Sequence, residues 1–346
     1  MSKNALILGI GGQDGSLLAD LLLKHKYRVY GTVRENIDFN KWRLIDLGIQ
    51  EKVNICELII GDKNKLKDII KLSNPDEIYL LAGPSKTNTS FQCPKQTLFD
   101  YINASIDLLD VCIELCPHTK IFLASSSEIY GENLSDMTTL IDESSNFSPI
   151  NPYGLAMLNV LQIANQYRKL HKMFISVGIL FNHESNLRAK YFISRKITYH
   201  LARIQSTKGE PFSIGNLDSM RDWSAAKDIV DGIFLSLQAK ESDNYIFASG
   251  KCHSVRELLK LAAKKAGFSP VFEGSGLEEK CFCSKNNILI AYTHFKHYRV
   301  LETRPHAGNS DKARKALNWT PNTSFEDLIT SMVQYDIKQF SINRNH

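Results

Sequence analysis

Apolar residues along this chain fall into short unbroken runs, separated by stretches in which they recur every three to four positions. Residues 4–8, 28–33, 53–60, 77–81, 120–124 and 174–179 are runs of the first kind and are expected to be buried strands. Residues 16–24, 94–116 and about 153–170 have the helical period. Strands alternating with helices predict an α/β fold with a doubly wound parallel sheet. After Gly178 the rhythm changes. Residues 181–185 read as a polar loop, a helix begins near residue 192, residues 228–238 and 254–267 read as helices, and 244–248 as extended. Residues 271–310 look loop-rich with aromatic and basic side chains, and a last helix is expected over about 325–338. These changes suggest a first domain over 1–180 with about 225–250, and a smaller interleaved domain over 181–224 with 251–346. With no clear linker, the second is expected to pack on the first and close a crevice.

Composition narrows the classes. The 346 residues are 43% hydrophobic and 23% charged, an ordinary globular balance. A net charge of +5, without basic runs interleaved with aromatics, disfavours nucleic acid but suits a small anion. Seven cysteines, an odd number, do not suggest a secreted disulfide framework. Cys112 and Cys116 lie one helical turn apart and Cys281 and Cys283 are too close for ordinary metal-ligand spacing, so no metal site is expected. No signal-like segment and no apolar run of about 20 residues is present, so the expectation is a cytoplasmic protein that does not enter a membrane.

The candidate chemistry begins at the first strand's end. Gly9, Gly12 and Gly15 stand between a strand and a helix, with Gln13 and Asp14 in the turn. Glycines let a pyrophosphate approach the backbone, and the helix start offers N–H groups and partial positive charge. The second strand ends at Val33 rather than an acid, and Arg34 follows. An arginine there can pair a 2′-phosphate, favouring NADP, whereas Glu35 beside it argues for NAD. Asp62, after the third strand, either contacts adenine or caps the next helix. Ser126 and Glu128 lie just past a strand's carboxyl end, and Tyr153 lies where a helix starts behind Pro152. A hydroxyl, a carboxylate and a phenol beside a dinucleotide suit proton handling around a hydride transfer, although a serine-rich loop and a core tyrosine have the same spelling. Arg188, Arg195, Arg221 and Arg299 fall in the second half, where guanidinium groups could clamp a pyrophosphate or make surface ion pairs.

Several longer stretches carry a family likeness. They are Gly12-Gln13-Asp14-Gly15-Ser16, Pro75-Asp76-Glu77-Ile78-Tyr79, Ser127-Glu128-Ile129-Tyr130-Gly131, Phe181-Asn182-His183-Glu184-Ser185, Ser194-Arg195-Lys196-Ile197, Gly215-Asn216-Leu217-Asp218, Arg221-Asp222-Trp223 and His253-Ser254-Val255-Arg256-Glu257. Through them the chain resembles the GDP-mannose 4,6-dehydratase family of extended short-chain dehydrogenase/reductases, over nearly its whole length. The resemblance implies a Rossmann-like cofactor domain and dehydration of a GDP-sugar, GDP-mannose or a relative such as a GDP-heptose, to the 4-keto-6-deoxy sugar, as in deoxysugar biosynthesis. It implies NADP contacts at Gly9, Gly12, Gln13, Asp14, Gly15, Arg34, Asp62 and Tyr153. It implies that Ser85, Asn182, Lys196, Gly215, Arg221, Arg299 and Glu302 hold the substrate. Ser126, Glu128 and Tyr153 match its catalytic hydroxyl, acid/base and tyrosine. A homodimer or homotetramer is implied too. The loop 186–189 keeps one of the family's two arginines, Arg188, which favours the dimer.

The chain also departs from the family. Where a lysine stands four residues after the tyrosine, this chain has Met157, and the lost positive charge is one that lowers a tyrosine's pKa. The family's Asn-Leu-Ala-Ala run is Leu80-Leu81-Ala82-Gly83, its following histidine is Lys86, and the threonine before the first glycine is Leu8. Lys86 could supply the missing charge. A GDP-sugar 4-oxidoreductase or epimerase, or a catalytically impaired GDP-sugar-binding paralogue, are the alternatives these changes leave open.

Overall fold

The computed structural model describes residues 2–34, 41–83, 87–132, 140–298 and 306–342, with only the backbone for 87 and 88. The chain forms two compact units, one of residues 1–181, 226–248 and 308–320, the other of 182–225, 249–307 and 321–346. The short helix Asp311–Leu317 lies in the first unit, not in the second where the sequence pattern places it.

Fourteen strands occur among the described residues. In chain order they are β1 (Asn4–Leu8), β2 (Arg28–Val33), β3 (Asn54–Glu57), β4 (Glu77–Leu80), β5 (Lys120–Ser126), β6 (Ile175–Leu180), β7 (Asn182–Glu184), β8 (Phe212–Ile214), β9 (Met220–Ala225), β10 (Asn244–Phe247), β11 (Cys252–Ser254), β12 (Pro270–Glu273), β13 (Lys280–Cys283) and β14 (Ile288–Thr293). In the first unit, seven pair in the order β10-β6-β5-β4-β1-β2-β3. Every one of these pairings is parallel. From β3 to β6 this is the doubly wound 3-2-1-4-5-6 order, whose ligand crevice lies beyond the strands' carboxyl ends.

The strands read as unbroken apolar runs because both sheet faces are covered. Alternate residues feed two cores. Leu6, Leu8, Ile78, Ile121, Leu123 and Val177 point one way, toward Leu66, Ile69, Leu108, Leu109, Val160 and Leu161 of the helices Lys63–Ser73, Pro94–Leu115 and Pro152–His171. Ala5, Ile7, Tyr79 and Phe122 point the other way, toward Leu18, Leu22, Ile229 and Ile233 of the helices Gln13–Lys24 and Ala226–Gln238. At the amino ends of the strands, buried Glu77 accepts hydrogen bonds from Tyr27 (2.9 Å), Tyr79 (2.7 Å) and Lys3 (3.1 Å). Asp76 accepts from the backbone N–H of Asn4 at 2.7 Å. The family-like Asp-Glu-Ile-Tyr run is therefore scaffold at the end of the sheet remote from the glycine turn.

The second unit holds a three-stranded sheet, β11-β9-β7, and a four-stranded one, β12-β13-β14-β8. Their core includes Ile197, Leu201, Trp223, Leu258, Leu259, Cys281, Cys283, Ile290, Ile329 and Met332. Two expectations are corrected here. Residues 181–185 are not wholly loop, because Asn182–Glu184 pairs in parallel with β9. The stretch 271–310 contains two antiparallel pairings, β12 with β13 and β13 with β14. Lys-Cys-Phe-Cys has a strand's period of two, with Cys281 and Cys283 buried, so these cysteines are core residues. In Arg-Asp-Trp, buried Asp222 accepts from the N–H groups of Ser249 and Gly250, both at 2.9 Å, and Trp223 stacks on Phe325 with ring centroids 5.9 Å apart. Ser254 and Glu257 form a reciprocal cap at the start of the helix Val255–Lys265.

No helix among the described residues is long and apolar enough to cross a membrane. Arg195, on the helix Ile193–Thr207, pairs with Asp336 on the helix Phe325–Ile342, and both side chains are almost fully buried. Burial pushes the Asp336 carboxyl up against the pull of Arg195. Removing one partner leaves a buried charge alone, so Asp336→Ala is expected to destabilise the protein by about 3–5 kcal/mol in urea unfolding. His200 stacks on Phe212, 5.0 Å between centroids, and burial, helped by Arg203, Lys196 and Lys190, pulls its pKa down to about 4. As pH falls from 6.5 through 4, the unfolded chain takes up a proton that the folded chain refuses, so this contribution to stability is lost over that window. His200→Phe should therefore melt with a smaller drop in Tm between pH 7 and pH 4 than the natural chain.

Candidate active site

The glycine turn is built by close backbone approach. Gly9 has φ +101°, a conformation that favours glycine, and a β-carbon there would lie 2.9 Å from the Ala82 backbone. At Gly15 a β-carbon would lie 2.3 Å from the Gly9 carbonyl oxygen, which ties the first turn of the helix Gln13–Lys24 to the end of β1. Gly12 is the N-cap and supplies no side-chain cap, so the helix terminus is shaped for an anion. The buried Gln13 side chain donates to Asp14 at 3.0 Å. Arg34 is exposed just past β2. The Asp62 carboxylate accepts from the Lys65 N–H at 2.9 Å and caps the helix Lys63–Ser73. Pattern reading missed Arg43, which donates to the Gly11 carbonyl at 2.7 Å and stacks over Trp42, 4.3 Å from its ring centre. It follows the undescribed stretch 35–40, where no periodicity marks it.

Ser126, Glu128 and Tyr153 stand on three adjoining elements of the same unit. Ser126 ends β5, and its hydroxyl accepts from the Glu128 N–H at 3.3 Å, starting the single turn Ser127–Ile129 that carries Glu128. The helix Pro152–His171 begins against that turn, because Gly154 lacks a side chain, and a β-carbon there would be 2.5 Å from the Glu128 carbonyl oxygen. Asn151 caps the helix, accepting from the Gly154 N–H at 2.7 Å, and donates its amide to Glu128 Oε2 at 2.8 Å. Ser125 donates to the Met157 carbonyl at 3.1 Å and fastens the helix to β5. The side chain of Met157 is buried in the apolar core, one turn beyond Tyr153.

Tyr101 lies edge-on to Tyr153, with centroids 5.6 Å apart and planes at 67°. Its phenol occupies the space a side chain at position 83 would need, since a β-carbon on Gly83 would come within 2.2 Å of the Tyr101 ring. Gly83, one of the family departures, is thus the counterpart of a large residue at 101. Ser85 and Lys86 lie outside the described residues, as do Arg299 and Glu302.

In the second unit, Lys196, Gly215 and His297 converge. Lys196 Nζ is 3.3 Å from His297 Nε2, and the Ser213 hydroxyl is 2.9 Å from the same nitrogen. Gly215 is closed by the His297 carbonyl, 2.4 Å from where a β-carbon would be. Burial lowers the pKa of Lys196, and burial with the neighbouring Lys196 lowers that of His297. His297 follows His294 in an aromatic, basic stretch whose spacing gave no sequence signal for this contact. Asn182 opposes Trp223 across β7 and β9, and Arg221 on β9 donates to its neighbour's carbonyl, Met220, at 2.6 Å. Arg188 folds back within this unit, 3.3 Å from buried Glu184 and 3.6 Å from the centre of the Phe192 ring. Among the described residues no cluster of His, Cys, Asp or Glu is suited to hold a metal.

The sheet order and glycine turn are those of the extended short-chain dehydrogenase/reductases. Solved structures with this fold include a UDP-glucose 4-epimerase with UDP-glucose from Thermotoga maritima, at 20% identity and TM-score 0.80 over 97% of this chain and 99% of that one. Another is a dTDP-glucose 4,6-dehydratase from Bacillus anthracis in complex with NAD, at 18% identity and TM-score 0.79 over 97% of each chain. A family model described as GDP-mannose 4,6 dehydratase matches residues 6–332, and the chain belongs to that family. A GDP-mannose 4,6 dehydratase of Cricetulus griseus is 36% identical over 99% of this chain and 94% of its own length. One from Vibrio cholerae is 33% identical over 98% and 95%.

Gly15→Ala should force the helix start away from the turn, cost about 1–3 kcal/mol of stability and weaken nicotinamide-dinucleotide binding by at least roughly tenfold in calorimetry.

Proposed function

We propose that the chain dehydrates a GDP-sugar, GDP-mannose or a close relative, to the GDP-4-keto-6-deoxy sugar with NADP as its resident cofactor. The observation that carries this is the placement of Glu128 beside the start of the helix bearing Tyr153, in a chain whose relatives of known name are GDP-mannose 4,6-dehydratases. The glycine turn suits the cofactor, because Gly9 and Gly15 let the backbone close up and bring the helix start, with no side-chain cap at Gly12, against the end of β1. Gly9, Gly12, Gln13, Asp14 and Gly15 would hold it, with Arg34 favouring a 2′-phosphate and Asp62 near the adenosine end. A protein titled RMD from Pseudomonas aeruginosa, solved with NADPH, shares the fold at TM-score 0.75 and 18% identity, and others hold NAD, so the choice of NADP rests on Arg34. When bound, the cofactor would supply hydride transfer between its nicotinamide and C4 and C6 of the sugar.

The protein's side chains manage the protons. Tyr153, with Ser126, removes the proton of the 4-hydroxyl. The resulting ketone acidifies C5, Glu128 takes that proton and delivers one to the departing 6-hydroxyl, which leaves as water, and as hydride returns at C6 the proton held by Tyr153 goes to C5. Asn182, Lys196, Gly215 and Arg221, with Ser85, Arg299 and Glu302, would hold the GDP-sugar, the cations meeting its phosphates. A homodimer is the assembly favoured by the single loop arginine, Arg188.

A second possibility, a binding-only paralogue, is favoured by one feature: Met157 is buried and apolar one turn from Tyr153, where the family places a cation. Incubation of the purified chain with NADP⁺ and a panel of GDP-sugars separates the two in a mass spectrometer. A product lighter by one water is expected, absent in Glu128→Gln. Binding of GDP-sugars without any mass loss would identify the paralogue.

A further inference from the structure

Asn151 joins the two halves of the proton machinery through one side chain. It is almost fully buried, 6% exposed, at the N-cap of the helix that carries Tyr153. Its orientation is settled by chemistry. The Gly154 backbone N–H can only donate, so the oxygen 2.7 Å away is Oδ1. The amide nitrogen then faces the carboxylate, 2.8 Å from Glu128 Oε2, and must be the donor.

Capping alone does not call for asparagine. Serine and aspartate cap about as well. Neither repeats the second contact: the serine oxygen sits one bond closer to the backbone, and an aspartate would set an acceptor against an acceptor. The amide's distinctive contribution is therefore the bond to Glu128. A charge-assisted hydrogen bond of this kind orients one carboxylate oxygen. The close approach of Gly154 to the Glu128 backbone sets where the two main chains lie, and the Asn151 amide holds one oxygen of the carboxylate.

We infer that Asn151 is a positioning residue for the acid/base step, holding the Glu128 carboxylate in place for proton removal at C5 while its cap role keeps Tyr153 in register. The inference rests on the dehydratase reading for its chemistry, though not for the contact itself. Two steps of the reaction are then separable. Loss of the amide should leave oxidation at C4, which depends on Tyr153, and slow the later transfer of the C5 proton to Glu128, with departure of the 6-hydroxyl as water.

The test uses the full-length protein with Asn151→Ser and Asn151→Asp, both of which retain a cap, beside Asn151→Ala, which does not. The melting curve of Asn151→Ser should stay close to that of the natural protein, with Asn151→Ala lower for loss of the cap and Asn151→Asp lower because its carboxylate faces that of Glu128. In single turnovers with NADP⁺ and the GDP-sugar, Asn151→Ser should reach the same initial rate of rise at 340 nm. The signal should then persist, because oxidation proceeds and elimination lags. Its kcat should fall roughly tenfold, as expected for a lost charge-assisted bond, with KM nearly unchanged, and Asn151→Asp should fall further. Equal loss in both steps, or no loss, overturns the inference. A second readout needs no substrate: with ¹³C-labelled glutamate, the Glu128 side-chain resonance, identified by its absence in Glu128→Gln, should move in Asn151→Ser. If that resonance stays in place, the inference is wrong even where turnover changes. Failure of the dehydratase reading would look different, as absence of water loss from every GDP-sugar with the resonance shift intact.

Discussion

The tight seating of one helix start against one turn is what the rest of this site depends on. Glycine at 154 lets the helix Pro152–His171 begin so close to the Glu128 turn that a β-carbon there would lie 2.5 Å from the Glu128 carbonyl oxygen. Asn151 then bridges the same gap with two hydrogen bonds. One contact holds an oxygen of the carboxylate on its short turn, and the other caps the first turn of the helix that carries Tyr153. Together these contacts turn two locally mobile groups into a fixed pair, which is what proton transfer at a defined carbon requires.

Much of this was legible beforehand, for identifiable reasons. Strands buried on both faces write themselves as apolar runs, and β1, β2, β4, β5 and β6 were visible as such. Their parallel arrangement followed from the alternation with helices. The strands of the second unit were harder. Asn182–Glu184 is three polar residues long, and Lys-Cys-Phe-Cys was read for metal spacing rather than for its alternation. The sites were unevenly readable too. A glycine triplet between strand and helix has a local cause and a local spelling. Asn151, Tyr101 and His297 act through residues 23, 52 and 101 positions away respectively, and a single sequence holds no sign of such pairings.

The structure also gives the departures from the family a physical shape. Gly83 and Tyr101 form a small-for-large pair: the glycine opens the space that the phenol fills, and the phenol lies edge-on to Tyr153. Met157 directs an apolar chain into the core beneath it. Tyr153 therefore has the Tyr101 ring edge-on beside it, and Glu128 has a polar partner in Asn151. In the second unit the polar convergence of Lys196, Ser213 and His297 is independent of these changes. Two of the altered positions, Gly83 through Tyr101 and Met157 one helical turn on, thus lie beside Tyr153.

The central claim, that one site oxidises C4, removes the C5 proton and returns the hydride to C6, is tested most directly by following a label. GDP-mannose carrying deuterium at C4 would be turned over in ordinary water and the product examined by NMR. The account predicts a 4-keto sugar without its 6-hydroxyl, with the deuterium at C6 and a solvent proton at C5. A 4-keto or epimerised sugar that keeps its 6-hydroxyl, or a deoxy product whose C6 carries no label, would contradict it.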